Sequence, residues 1–336
     1  MIKVKRILIF MLILNTILLN GQDAVFSQFY NNPLSTNPAL TGVFKGSNRI
    51  GTTIRNQWYS IVPNASLVTS TIFFDHKSKI LNGDYLGIGA MVADDRSGLA
   101  KIEQTQGYLS LSYSKHLYAE KYRGINQYLV FGAQFGYGIS YLHYSGFLFG
   151  SQFNRNTELV DPGIDSGENL LDSKLYPDIN MGLMWYFTDS ENSYYLSGSI
   201  SHLNRPDISL VQGIDDKMKM KYSGLLGAKF LLEKGLILSP ALFFNMQGNI
   251  IQSIAGTKIR FTYSNYDDTA FEVGLWARVT NSISGFELPD IIFSSSYQIN
   301  HLEFGLSYDI TISNLNHLNG YKGAFELSMV YIFGGE

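Results

Sequence analysis

From Leu302 to Ser313 the chain alternates without a break. Leu302, Phe304, Leu306, Tyr308, Ile310 and Ile312 are apolar, and Glu303, Gly305, Ser307, Asp309, Thr311 and Ser313 are small or polar. Successive side chains of an extended strand point to opposite faces, so such a run makes one oily face and one wet face. The same period recurs in Phe271, Val273, Leu275, Ala277 and Val279, and in Leu129, Phe131, Ala133, Phe135, Tyr137 and Ile139. Beyond Leu19 no apolar run approaches the roughly 20 residues that a helix needs to span a bilayer. If the chain enters a membrane after that point, it has to do so as a closed β-barrel, because only closure satisfies every backbone group in lipid.

Strand length separates that reading from a soluble sandwich, whose strands typically run about 5 or 6 residues. The alternating runs here are about 10 to 14 residues long, which matches a tilted membrane strand. About 14 candidates follow one another from 47–58 to 322–333, among them 178–188 and 289–299. An even count is what outer-membrane barrels use, with short periplasmic turns and long outer loops. Counting from the first strand places Asp189-Ser190-Glu191-Asn192, Glu233-Lys234-Gly235 and Asn265-Tyr266-Asp267-Asp268 at the inner end, all short and turn-like. The two longest connections, 142–177 and 203–218, then fall outside. The expected fold is therefore all-β: a transmembrane, antiparallel outer-membrane barrel, with a short N-terminal segment packed at the periplasmic mouth. The terminal strand carries Phe325, Leu327, Met329, Tyr331 and Phe333 on one face, the aromatic-ended pattern that barrel-insertion machinery reads.

The first residues have another purpose. Lys3, Lys5 and Arg6 precede an apolar stretch from Ile7 to Leu19, and Asn20-Gly21-Gln22 follows, which is the layout of a secretory signal peptide. Three regions are expected: a signal peptide over 1–21, an N-terminal segment and candidate plug over 22–45, and the barrel over 46–336. Loss of the three basic residues takes the formal charge from −3 to −6, which argues against a nucleic-acid partner. With no cysteine, disulfides, thiolate metal sites and cysteine nucleophiles are excluded.

Chemical constellations are scarce. The six histidines, at 76, 116, 143, 202, 301 and 317, show no metal-ligand spacing, and no nucleophile elbow or phosphate-binding glycine loop is present. The loop 161–168 gathers carboxylates but lacks the ligand order of a calcium loop. Asp94-Asp95 or His143 could serve an outer-membrane hydrolase only with a positioned partner, and none is evident. No cofactor, metal or catalytic residue is expected. More informative are the inward-facing charges: Arg49, Arg55, Lys229, Lys258, Arg260 and Arg278 share the lumen face with Glu272, Glu303, Asp309 and Glu326. Closure sets the first strand beside the last, so Arg55 and Glu326 are expected to meet across that seam.

Between the leader and the first strand lies an aromatic, nearly uncharged stretch broken by two Asn-Pro steps, too irregular for a membrane strand and too apolar for a free linker. Asn37 to Gly42 is expected to pack at the inner mouth, near Arg55 and Gln57. Phe26-Ser27-Gln28-Phe29-Tyr30, then Asn37-Pro38-Ala39-Leu40-Thr41-Gly42, then Arg55-Asn56-Gln57-Trp58 resembles the N-terminal signature of the PorP/SprF family of type IX secretion system membrane proteins. At the far end Ser307-Tyr308-Asp309-Ile310, Ile312-Ser313-Asn314-Leu315 and Gly323-Ala324-Phe325-Glu326-Leu327-Ser328 resembles the family's closing hairpin. The resemblance implies a non-enzymatic outer-membrane component that works with other type IX secretion proteins. Its task would be to export or anchor a cell-surface adhesin, in some bacteria for gliding motility. Contacts to a plug or partner are expected at Phe26, Gln28, Asn37, Pro38, Arg55, Gln57 and Trp58. The alternative is a porin or hydrophobic-solute transporter built on the same barrel, which needs an open lumen.

Overall fold

The computed structural model describes residues 23–335 except 60–65, 99–101, 143–148, 155–156, 162, 165–166, 168, 265–268, 283–284 and 314–321. The proposed leader and the turn 265–268 therefore lie outside the described residues. The strands are β1 (Asn48–Gln57), β2 (Leu67–Lys79), β3 (Tyr85–Ser97), β4 (Ile102–Glu120), β5 (Ile125–Leu142), β6 (Phe153–Asn154), β7 (Leu159–Val160), β8 (Ser173–Thr188), β9 (Asn192–Ser201) and β10 (Lys221–Glu233). They continue with β11 (Leu236–Gln247), β12 (Ile250–Ser264), β13 (Thr269–Ser282), β14 (Gly285–Ile299), β15 (Leu302–Thr311) and β16 (Lys322–Phe333).

Fourteen of these, all but the small β6–β7 ribbon, form one closed antiparallel barrel in which each strand pairs with its neighbours in sequence. Closure is made by β1 on β16, in unbroken register from Asn48↔Phe333 to Gln57↔Ala324. The alternation read from the sequence becomes a two-sided wall. On β4, Tyr108, Ser110, Ser112 and Ser114 are buried in the lumen while Leu109, Leu111 and Tyr113 face out. Exposed leucines and buried serines invert the soluble pattern, because the outer face meets lipid and the inner face meets protein. No helix among the described residues is long and apolar enough to cross a membrane.

The ends differ as expected. Short connections such as 189–191 and 234–235 lie at the end where the chain enters the barrel, and the long ones, 143–172 and 202–220, at the other. The two long connections touch through the bridge Leu170↔Val211, and the second closes on itself through Asp207↔Lys217. Two strands begin earlier than the alternation suggested. β8 starts at Ser173 rather than 178 because Pro177 lies where β8 projects past the end of β9, whose pairing stops at Met181. There only one neighbour has to be satisfied, and a missing N–H is tolerated. β14 starts at Gly285 rather than 289 because Pro289 falls within a register shift against β13, between Arg278 and Thr280.

Candidate functional site

A barrel of this size encloses space, and here residues 23–42 lie within it. Residues 23–42 make short turns: Phe29–Asn31 and Pro38–Leu40 are single 3-10 turns, and Pro33–Thr36 is one α-turn. Proline at the first position of two of these turns presets the backbone there. The Asn37 side chain caps the third by accepting from the Ala39 N–H at 2.8 Å. With no sheet partner inside the lumen, the segment pairs much of its backbone locally, as in Asn37 N–H to the Pro33 carbonyl at 3.0 Å and Leu40 N–H to the Asn37 carbonyl at 3.0 Å.

The segment runs the length of the lumen. Asp23 lies at the outer end, where its N–H donates to Gln247 Oε1 at 2.8 Å. Gly42 lies at the inner end, its N–H donating to Asp75 at 2.7 Å, and Asp75 is itself held by Arg49. In between, each of the three buried apolar clusters among the described residues contains a residue of the segment. Phe29 stacks on Phe243 at 5.2 Å and meets Trp276 edge-on at 5.4 Å. Leu34 packs with Phe73, Met91 and Tyr108, and Ala39 with Val130 and Met184. Burial of a side chain such as Phe29 or Leu34 is worth about 1.5–3 kcal/mol.

The wall is cut to the segment. A Cβ added to Gly132 would lie 2.3 Å from the Ala39 nitrogen and the Pro38 carbonyl carbon; one on Gly182, 1.8 Å from Asn37 Oδ1; one on Gly87, 2.5 Å from the Thr41 oxygen; one on Gly305, 2.4 Å from Gln28 Oε1. Four strands have given up a side chain where the segment passes.

Its outer half is gripped by charge. Glu326 accepts the Ser27 and Gln28 N–H groups, at 2.6 and 2.9 Å, and pairs with Arg55. The Ser27 hydroxyl donates to Asp309 at 2.8 Å and accepts from Arg55 at 2.8 Å and from Arg278. Asp309 pairs with Arg55 at 3.0 Å and with Arg278 at 2.8 Å. One hydroxyl thus uses its single donor and both acceptor positions inside a set of four charged side chains, all buried. Such pairs offset their desolvation only when each lone pair and proton is matched, as these largely are.

Nearer the outer end, His202 sits between two carboxylates, with Nε2 2.8 Å from Asp23 and Nδ1 2.7 Å from Asp178. Lys221 reaches Asp23 at 2.6 Å, and Tyr108 donates to Asp178 at 2.5 Å. Burial opposes the imidazolium, but the two carboxylates outweigh it and push His202, which lies just beyond the end of β9, up to about 9. Further in, Lys258 lies 4.3 Å above the Tyr30 ring and pairs with Glu272, which also holds Arg260 at 3.0 Å.

Of the residues singled out from sequence, Phe26, Gln28, Asn37 and Pro38 all lie inside the barrel, and Arg55 meets Glu326 across the β1–β16 seam. Arg55 and Gln57 are nevertheless not beside Asn37–Gly42. Arg55 is seven residues along β1 from Asn48, about 23 Å at the usual rise, so it belongs to the outer half and contacts Ser27. The segment packs at the inner mouth and also continues well past it. Gln57 accepts from Arg55 at 3.5 Å, and Trp58 stands partly exposed past the end of β1 with a left-handed backbone. Asp94 and Asp95 occupy opposite faces of β3, and His143 is outside the described residues. Sequence reasoning passed over Ser27, Asp23 and His202; the only signal for Ser27 was its place inside the Phe26–Tyr30 motif. Among the described residues no group of three or more His, Asp or Glu side chains is arranged to hold a metal ion.

Three solved structures are similar to the chain at low sequence identity. The toluene transporter TbuX of Ralstonia pickettii is 10% identical, with 90% of this chain and 92% of that chain covered and a TM-score of 0.49. The toluene transporter TodX of Pseudomonas putida is also 10% identical, with 90% and 93% covered and a TM-score of 0.46. CdiB from Acinetobacter baumannii is 8% identical, with 85% and 60% covered and a TM-score of 0.46. No curated protein matches the chain. The family model for type IX secretion system membrane protein PorP/SprF matches residues 18–331, nearly the whole length. An outer-membrane location and association with other secretion components follow from that match together with the barrel. The chain belongs to the PorP/SprF family of type IX secretion system membrane proteins.

Proposed function

We propose that this barrel is a non-catalytic accessory of type IX secretion that helps to deliver or retain an adhesin-like partner at the cell surface, in the service of gliding where the cell glides. The mature chain would begin near Gln22, with 22–45 as the plug and 46–336 as the barrel. The observation that carries the reading is the fit between the segment and the glycines at 87, 132, 182 and 305. A wall that has lost its side chains along the path of the segment is built for a resident, and a diffusion channel needs that path free. Phe26, Gln28, Asn37, Pro38 and Arg55 then hold the plug. Trp58 and the connections 143–172 and 202–220 are left to meet a partner, whose binding energy has to come from extended surface and a few aromatic or arginine anchors.

The test is a surface-proteome comparison of cells carrying the intact gene, a deletion, and a variant with the 143–172 connection shortened. Both altered strains should lose display or retention of one secreted adhesin-like protein. Small-solute uptake should be unchanged, and the shortened barrel should still insert. Unchanged display with reduced uptake would replace this reading with the porin.

A further inference from the structure

At the outer end of the lumen the segment leaves a space. A cavity of about 70 Å³ lies between its first residues and the lumen faces of β2, β3 and β4, with Asp23, His202 and Lys221 on one side and Asp95, Thr69, Gln104 and Gln106 on the other. At ~10–15 Å³ of such volume per water, it holds a handful of waters or one small polar group.

Asp95 dominates it. In register with Thr69 on β2 and Gln104 on β4, it points into the lumen, and its Oδ1 accepts from the Thr69 hydroxyl at 2.5 Å. No ion pair reaches it among the described residues. Arg96, the nearest basic residue in sequence, is turned to the opposite face of β3, where it binds Asp94 and Glu103. Every other carboxylate named at this end of the lumen has its cation: Lys221 and His202 on Asp23, His202 on Asp178, Arg278 on Asp290, Arg55 and Arg278 on Asp309. The neighbours of Asp95 add acceptors. Gln104 and Gln106 both donate their amide nitrogens to the Tyr176 hydroxyl, at 2.5 and 3.3 Å, which leaves the amide oxygens to accept. A carboxylate half-withdrawn from water, among oxygen acceptors and without an ion pair of its own while Lys221 and His202 are spent on Asp23 and Asp178, is costly as it stands and gains most from a cation.

We propose that this cavity is a cation site in which Asp95 receives one small positive group, the basic head of a partner's lysine or arginine side chain or a free metal ion. The assignment is independent of the secretion reading, because it rests on the chemistry of the cavity alone.

The intact purified chain in detergent micelles, titrated calorimetrically with butylammonium, methylguanidinium and Ca²⁺ in turn, tests it. At least one should bind, and Asp95→Asn should weaken that binding at least tenfold. An organic cation bound in preference to Ca²⁺ assigns the site to a basic side chain; the reverse order assigns it to a metal ion. Gln104→Arg, which places a guanidinium opposite Asp95, should abolish binding and raise the temperature at which the heat-resistant gel mobility of the barrel is lost. That mobility also establishes that each variant is folded. No binding by any of the three probes, or equal binding by the folded Asp95→Asn barrel, would overturn the proposal.

Discussion

The two ends of the lumen segment are held by different mixtures of charge and shape. From Asp23 to Gln28 the segment is gripped by ionised side chains: Glu326 on two backbone N–H groups, Asp309 and two arginines on one hydroxyl. From Asn37 to Gly42 shape carries more of the hold: the backbone and short side chains lie against bare glycines on β3, β5 and β8, and a single ion pair, Arg49–Asp75, meets the Leu40 carbonyl and the Gly42 N–H. Charged contacts are directional and fail when displaced, so the outer clamp fixes where the segment stops. Steric clearance is permissive over a length of chain, so the glycine track decides whether the segment enters at all. Insertion and registration are thus controlled by different residues.

That division can be broken from either end. Glu326→Ala leaves the buried Arg55 with Asp309 as its remaining carboxylate partner among the described residues and leaves two N–H groups unmet, a loss of about 3–5 kcal/mol. Equilibrium unfolding of the lipid-reconstituted barrel in urea should show it, and a double-mutant cycle with Arg55→Ala should show strong coupling, whereas additive effects would contradict the clamp. Gly132→Val drives a side chain into Pro38 and Ala39, with a cost of about 1–3 kcal/mol and local displacement of the segment. A protease added to the refolded barrel should then cut within the segment in Gly132→Val and spare the native chain; equal resistance would mean that the track is not needed. The smallest effect is that of pH. His202 stands at about 9 in the folded chain against an ordinary 6.5, so its stabilising contribution is complete below about 6.5 and disappears as the pH rises through about 9. Amide exchange at Ala24 to Phe26 should accelerate over that interval more than at Ala39 to Thr41, and His202→Gln should remove the difference.

The same division explains what the sequence made legible. Period-two alternation over long runs disclosed the barrel, its strand count and the side of each residue, because lipid outside and protein inside impose the same rule on every strand. Arg55 and Glu326 could be paired in advance, since closure puts the first and last strands side by side and a charge facing a filled lumen needs its opposite. The course of the segment could not be read. Glycine at 132 or 182 is equally consistent with a weak strand, a bulge or a close approach, and only the position of Pro38 and Asn37 tells which. Ser27 looks like any serine until three strands deliver Arg55, Arg278 and Asp309 to its hydroxyl. The early starts of β8 and β14 were hidden for a related reason: whether a proline ends a strand depends on whether the neighbouring strand needs its N–H at that point, as at Pro177.

Everything above depends on the segment being a permanent part of the folded barrel. Amide hydrogen exchange of the intact chain, followed residue by residue from Ala24 to Gly42 beside the outer connection 202–220, tests that most directly. The account predicts that Asn37, Leu40, Thr41 and Gly42, whose N–H groups are bonded inside the lumen, exchange as slowly as the core of the strands and far more slowly than the outer connection. Rapid exchange throughout 24–42 in a barrel that is otherwise protected would contradict it and leave the lumen open.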